Sequence, residues 1–349
     1  LLNLSSFIDS LFSVFGIMVS LFLIAAVGFV GIRRHWFHDD MITALTALLV
    51  SCALPAKIVG ALTAGLTIDL LQQCALIIFL MITFNFLGIG LGWLATRMVG
   101  GGPPQSQRAV WAMSGLQNGV YLPLPMALAL APKDPESQNL ATVYVAGAFV
   151  AMVILQWTVG AYLLAGDEHR RKHHGSLRQF LQGVINPPLV AIAVGAVLAF
   201  VPGFRAAAGA ADGAWQPLVH IFKGVHLLGS AVEPVAMLVL GMMIGSSHLR
   251  GNLKWGIALI PAVIQMGILP AIMLAMLWSP VLGWVPGLLA LVLIIEASTP
   301  PATNLSVVAR RFDGDWRLVS ASLFICYLIA MVAMPFWTAF ILPGVAPAP

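Results

Sequence analysis

An acid, three hydroxyls and an amide crowd around a double proline inside one apolar stretch, Leu288–Asp313. Glu296, Ser298 and Thr299 precede Pro300 and Pro301, and Thr303 and Asn304 follow them. The stretch is otherwise apolar and long enough to cross a bilayer, which takes about 20 residues. A charged side chain at the centre of a spanning helix costs about 2.5–3.5 kcal/mol on insertion scales and is a functional candidate by default. A carboxyl in apolar surroundings can carry a proton, and its oxygens, with nearby hydroxyls and carbonyls, suit a hard cation such as Na⁺. A second set, in the apolar stretch 109–131, consists of Ser114, Gln117, Asn118 and Tyr121 ahead of Pro123 and Pro125. These groups are neutral, and they fit ligand binding or hydrogen bonding between helices.

The backbone that must position these groups is broken in both places. Proline has no N–H, so Pro300 and Pro301 deprive the carbonyls of Glu296 and Ala297 of helical partners, and Pro123 and Pro125 do the same to Gly119 and Tyr121. Thr299 and Pro300, each followed by proline, are also pushed away from α geometry. Such breaks survive in a bilayer only when buried in protein or lining a wet cavity. Two proline-interrupted spans at matching places in two halves of a chain mark the binding site of a transporter.

Composition agrees with a membrane setting. The 349 residues are 60% hydrophobic and 9% charged, against about 25% charged in soluble domains. Cys52, Cys74 and Cys326 all lie in apolar runs and read as packing residues, not as a disulfide or zinc framework. Leu1 in place of methionine suggests trimming, and the first apolar run reads as a helix, not a signal peptide. No HExxH, GxSxG or Walker A motif is present, so an enzyme is not expected. Gly88, Gly90 and Gly92 lie in an apolar helix, where glycines favour close helix packing.

Ten apolar segments can be drawn, at 7–31, 41–65, 70–96, 107–131, 139–165, 184–203, 217–246, 254–279, 286–309 and 318–342. With the N-terminus outside, 13 basic residues fall on inner connections (Arg33, Arg34, Arg97, Arg108, Arg170, Arg171, Lys172, Arg178, Arg250, Lys254, Arg310, Arg311 and Arg317) and 2, Lys133 and Arg205, on outer ones. The positive-inside rule then places both termini outside. Segments one to five align with six to ten at a nearly constant shift, and Pro55 and Pro234 stand 179 residues apart. An odd number of spans per half makes this an inverted-topology repeat. The expected fold is all-α and integral to the membrane: ten transmembrane helices as a 5+5 inverted repeat with broken, crossing helices 4 and 9. Residues 1–165 form the first repeat, 166–183 a basic cytoplasmic linker and 184–349 the second repeat. His169, His173 and His174 in the linker read better as part of a lipid-facing basic loop than as a metal site. Lys57 and Glu233, inside segments two and seven, either neutralise each other or meet an anionic substrate.

Taken in order, these elements resemble the auxin efflux carrier family, which includes plant PIN proteins and bacterial malonate and malate carriers. Asn118 with Pro125 seven positions on resembles the family's crossover element, and Pro300 followed by VVARRFDGD resembles its second one. INPPL at 185–189 and EPVAMLVLGMMIG at 233–245 are similar to family stretches opening segments six and seven. The resemblance implies that helices four and nine cross at their breaks and that the substrate site lies at the crossing. It also implies a scaffold of helices 1, 2, 6 and 7, often dimeric, and a moving transport domain of helices 3–5 and 8–10. Asp69 matches an acid near the substrate path in plant members, whereas Gln73 replaces a lysine and Lys57 and Glu233 replace residues that are usually apolar.

The resulting expectation is a secondary transporter of a small organic anion, working by elevator-type alternating access. Gln117, Asn118, Tyr121, Pro123, Pro125, Thr299, Pro300, Pro301 and Asn304 are the candidate substrate-binding residues. Glu296 and Ser298 are the candidates for ion coupling, and Lys57, Glu233 and Asp69 are accessory charges. No cofactor is expected beyond Na⁺ or H⁺ as coupling ion. The expected partners are the substrate, the lipid bilayer and a second copy in a homodimer, with no nucleic acid, and the expected location is a bacterial inner (cell) membrane. The alternatives are an anion channel or uniporter, or a bile acid:sodium symporter-like carrier of the same fold.

Overall fold

A computed structural model describes residues 4–100, 102–166, 187–209, 215–246 and 255–344. Apart from Gly166, the linker with its three histidines lies outside the described residues, as do Arg250, Lys254 and the side chains of Arg310 and Arg311. Among the described residues all regular elements are helices. In chain order these are α1 (Leu4–Arg33), α2 (Asp39–Leu48), α3 (Leu54–Gly65), α4 (Ile68–Val99), α5 (Pro104–Gly115), α6 (Pro123–Leu130), α7 (Pro135–Leu155) and α8 (Ala161–Leu164). Then follow α9 (Pro187–Ala199), α10 (Pro202–Ala208), α11 (Gln216–Gly229), α12 (Val232–Ser246), α13 (Trp255–Ala258), α14 (Ile260–Val263), α15 (Leu269–Leu277), α16 (Gly287–Ala297), α17 (Leu305–Arg311) and α18 (Trp316–Thr338).

Seven helical stretches are long and apolar enough to cross a membrane: Phe7–Arg33, Asp40–Gly65, Ile68–Val99, Pro135–Leu164, Gln216–Ser246, Gly256–Leu277 and Trp316–Thr338. The chain is therefore a multi-pass integral membrane protein. The expected sixth segment is not one straight helix, because α9 and α10 meet at 110° just before Pro202. The expected fourth and ninth segments are each split, into α5 with α6 and α16 with α17. Proline accounts for the places: Pro123 stands first in α6, where its missing N–H is harmless, while Pro300 and Pro301 fall between α16 and α17. Three long spans contain short π-helical turns, Leu49–Ala53, Gln156–Gly160 and Ile264–Ile268, and the first and third of these lie just before Pro55 and Pro270.

Close backbone contact binds the bundle in several places, two of them between long helices. Helix α1 runs along α12, where a Cβ on Gly241 would fall 1.7 Å from the carbonyl oxygen of Ala25 and one on Gly28 would fall 2.2 Å from that of Leu238. Helix α4 meets α5 in the same manner, since a Cβ on Gly88 would lie 2.3 Å from the Ser114 oxygen and one on Gly115 would lie 2.3 Å from that of Asn85. The packing expected of the glycine triplet thus holds for Gly88 and Gly92, while Gly90 faces open space. Large apolar side chains such as Phe12, Leu23, Leu227 and Val332 are exposed on the outside, as suits a lipid-facing surface.

Candidate functional site

The two breaks meet. Residues 116–122, between α5 and α6, lie against residues 298–304, between α16 and α17, and one antiparallel bridge joins Gln117 to Pro301. The N–H of Asn118 donates to the Pro300 carbonyl at 2.9 Å, and that of Ala302 donates to the Leu116 carbonyl at 3.0 Å. Backbone that cannot complete a helix completes a two-strand contact instead, in the interior, as the apolar setting demands. Gln117, Glu296, Ser298 and Thr299 are fully buried, and Asn118 is 4% exposed. Pro123, Pro125, Pro300 and Pro301 are buried too, while Tyr121 and Asn304 are half-buried.

Asn118 organises the first break. Its Oδ1 accepts from the N–H groups of Val120 (3.2 Å) and Tyr121 (3.0 Å), which lie just ahead of α6. Its Nδ2 donates to the Tyr327 hydroxyl at 2.6 Å, and that hydroxyl donates on to the Pro301 carbonyl at 3.3 Å. Gln117 Nε2 donates to the Ala297 carbonyl at 3.2 Å, so one carbonyl released by the prolines regains a partner from the other break. The Glu296 carbonyl accepts from the Thr299 N–H at 3.2 Å. A further bridge runs through the π turn of the fifth span. Asn304 Nδ2 donates to Gln156 Oε1 at 2.9 Å, and Gln156 Nε2 donates to the Gln117 carbonyl at 3.1 Å.

Glu296 differs from its neighbours, because neither of its carboxyl oxygens has a hydrogen-bond partner among the described residues. The hydroxyls expected to serve it are committed elsewhere: Ser298 Oγ donates to the Ile294 carbonyl at 2.7 Å and Thr299 Oγ1 to the Ile295 carbonyl at 2.7 Å. Both bond back onto the end of α16, whose Ile294 and Ile295 carbonyls also accept from the Ser298 N–H. Gln117 Oε1, Thr303 Oγ1 and Asn304 Oδ1 are likewise buried without partners. A bare buried carboxylate is strongly unfavourable, so Glu296 must be protonated or neutralised by a cation. The unpartnered oxygens on both sides of the crossing are of the type that a hard cation selects.

The remaining candidates lie elsewhere. Lys57 Nζ is 3.0 Å from Glu233 Oε1, so the two intramembrane charges form an ion pair, with side chains 22% and 25% exposed. Gly229 passes close to that pair, since a Cβ there would approach the Lys57 backbone nitrogen to 3.0 Å. Asp69 is exposed in the first turn of α4, where a carboxylate is favoured by the helix dipole, and Gln73, one turn on, accepts the Tyr144 hydroxyl. Sequence reasoning missed Tyr327 and Gln156, and a polar group inside an apolar span was the available signal for both. The acidic end of the RRFDGD run also holds the assembly. Asp315 Oδ2 accepts from Ser106 Oγ at 2.6 Å, and the Asp313 carbonyl accepts from Gln105 Nε2 at 2.8 Å, tying the start of α5 to the end of α17.

A family model described as a membrane transport protein matches residues 13–338. The chain belongs to that family, the auxin efflux carriers. Relatives within reach of this carrier chain include an uncharacterized transporter of Methanocaldococcus jannaschii, 22% identical over 64% of this chain and 65% of that protein. Two Arabidopsis thaliana proteins, PIN-LIKES 2 and PIN-LIKES 7, are 26% and 28% identical over 44% and 48% of this chain and over 34% and 42% of their own lengths. The matches span less than two thirds of each of these relatives.

Proposed function

We propose that the chain is a secondary active transporter that carries a small organic anion, a carboxylate, by elevator-type alternating access. In this reading ten spans form two five-helix repeats of opposite orientation, both termini lie outside, and the protein works as a homodimer in a bacterial inner membrane. Membership of the auxin efflux carrier family supports the transport class. The observation that carries the mechanism is the meeting of two proline breaks in the interior, joined by backbone bonds of 2.9 and 3.0 Å, beside a fully buried carboxyl without a partner. The N-terminus of α6 opens at this crossing, and its partial positive charge suits a carboxylate. Glu296 supplies the coupling: ionised, it repels the anionic substrate, and neutralised by H⁺ or Na⁺ it admits it, so the two bindings are linked.

Burial argues against a channel. With Gln117, Ser298 and Thr299 at 0% exposure, a solute reaches the crossing only if the protein opens. The test is uptake into proteoliposomes from a panel of labelled mono- and dicarboxylates, with imposed Na⁺ and pH gradients. Saturable, gradient-driven uptake of one carboxylate class supports the proposal. Absence of flux for every carboxylate under both gradients would refute it, and conductance far above carrier turnover would replace the carrier with a channel.

A further inference from the structure

We propose that the crossing binds a dehydrated monovalent metal ion, Na⁺, through oxygens of Glu296, Gln117, Thr303 and Asn304, and that Gln156 sets their polarity. The proposal rests on the coupling role given above to Glu296 and names its ion. Both carboxyl oxygens of Glu296 are free among the described residues, and so are Gln117 Oε1, Thr303 Oγ1 and Asn304 Oδ1, all of them buried. Backbone contacts bring these groups together. Gln117 pairs with Pro301 and reaches the carbonyl of Ala297, next in the chain to Glu296. Thr303 and Asn304 follow directly after Ala302, which is bonded to Leu116.

The direction of each amide is fixed by backbone carbonyls, which can only accept. Gln117 must turn its NH₂ to the Ala297 carbonyl, 3.2 Å away, so its oxygen is left over. Gln156 must turn its NH₂ to the Gln117 carbonyl at 3.1 Å, so its own oxygen faces Asn304. Asn304 answers with its NH₂ at 2.9 Å and presents its oxygen elsewhere. Flipping any one of the three would set oxygen against oxygen, so the network determines all three orientations. Gln156 is thus a positioning residue that acts through Asn304. The π turn Gln156–Gly160 places it, and Gly160 lets the fifth span close on the first break, because a Cβ there would lie 2.6 Å from the Leu116 side chain. Asn118, by contrast, has both ends of its side chain engaged and belongs to the frame.

The surplus of oxygens selects a metal ion over a proton. A proton on Glu296 creates one donor, which satisfies one further oxygen and leaves others bare in an apolar interior. One metal ion can gather them all, since hard cations take oxygen ligands. Charge then selects a monovalent ion. Glu296 is the only carboxylate in the stretches 109–131 and 288–309, and the phenols of Tyr121 and Tyr327 are neutral near pH 7. One negative charge balances Na⁺, whereas a divalent ion would leave net charge buried.

The test reads binding, not flux. The purified full chain in detergent is melted while NaCl is titrated against choline chloride at equal ionic strength, with no carboxylate substrate present. Na⁺ should raise the melting temperature saturably where choline does not. Glu296→Gln should abolish that rise. Thr303→Val removes a hydroxyl that has no partner among the described residues. Its melting temperature without Na⁺ should therefore be unchanged or higher, while the half-saturating Na⁺ concentration rises several-fold. Gln156→Leu should raise that concentration about tenfold or more, the usual effect of losing a partner that orients a metal ligand. No Na⁺-specific rise, or a rise kept in full by Glu296→Gln and Thr303→Val, would overturn the site. Stabilisation by lowered pH with no response to Na⁺ would overturn it in favour of a proton. Absence of carboxylate uptake beside intact Na⁺ binding would refute the transport reading and leave this site standing.

Discussion

The two breaks are built from similar parts and reach opposite electrostatic outcomes. Gln117 in the first and Glu296 in the second stand 179 residues apart, the spacing that also separates Pro55 from Pro234. The amide at the first break reaches across to the Ala297 carbonyl, and Asn118 beside it uses both ends of its side chain. The carboxyl at the second break accepts no hydrogen bond among the described residues. The Gln117 amide N–H serves a carbonyl that the prolines freed, and Asn118 braces the start of α6, so the first break is held mainly by its own neutral groups. The second leaves the Glu296 carboxyl without a hydrogen-bond partner among the described residues, which is the ground for proposing it as the coupling group. Polar residues at a membrane break are therefore not interchangeable markers of a site: their hydrogen bonds separate frame from chemistry.

Changing Glu296 breaks the contrast most severely. Glu296→Gln makes the second break as neutral as the first. Exchange of substrate across proteoliposomes should persist, whereas accumulation driven by a Na⁺ or pH gradient should fall by at least about tenfold, within the usual range of coupling between sites. Accumulation with unchanged ion dependence would make Glu296 a structural residue. The next effect concerns the frame. Gly88→Leu would drive a side chain into the Ser114 backbone, already 2.3 Å from where a Cβ would sit. Overpacking of this kind costs about 1–3 kcal/mol or more, to be read as a lowered melting temperature in detergent.

Asn118→Ala sharpens the comparison. It removes the acceptor for two N–H groups and the donor to Tyr327, a loss of about 1–2 kcal/mol by analogy with helix caps. Stability and substrate affinity should fall together, and Tyr327→Phe should reproduce a smaller part of the loss. Lost affinity at unchanged melting temperature would instead make Asn118 a ligand and not a strut. The smallest effect is expected at Lys57 and Glu233, which lie away from the crossing. Their coupling in a double-mutant cycle should be about 0.5–1 kcal/mol, the low end for residues in contact. Either single neutralisation should destabilise, and Lys57→Met with Glu233→Gln should recover much of the loss. Additive losses would mean that the 3.0 Å contact contributes nothing.

The sequence made the breaks visible because proline removes donors in a predictable register, and a lone acid among aliphatics stands out. The ion pair was legible for a related reason, since opposite charges buried in two spans have few other partners. Tyr327 and Gln156 were not legible: each is one polar residue in a long apolar run, and only packing brings it to the crossing. The commitment of Ser298 and Thr299 to Ile294 and Ile295 was also hidden, because a hydroxyl near a helix end serves equally well as a ligand or as a patch for its own backbone. The 110° turn between α9 and α10 was missed because hydropathy reports that a stretch is apolar, not that it is straight.

The fusion of α4 with α5 has a mechanical consequence. At Gly88 and Gly115 the two backbones come into direct contact, and at Gly92 only the small Ser114 side chain intervenes, so little there can yield to a displacement. The first break hangs directly from the end of α5, and α5 is welded to a rod about 48 Å long at 1.5 Å for each of its 32 residues. Motion at one end is then motion at the other. A displacement of α4, from Ile68 to its other end, is therefore expected to carry α5 and Gln117 with it.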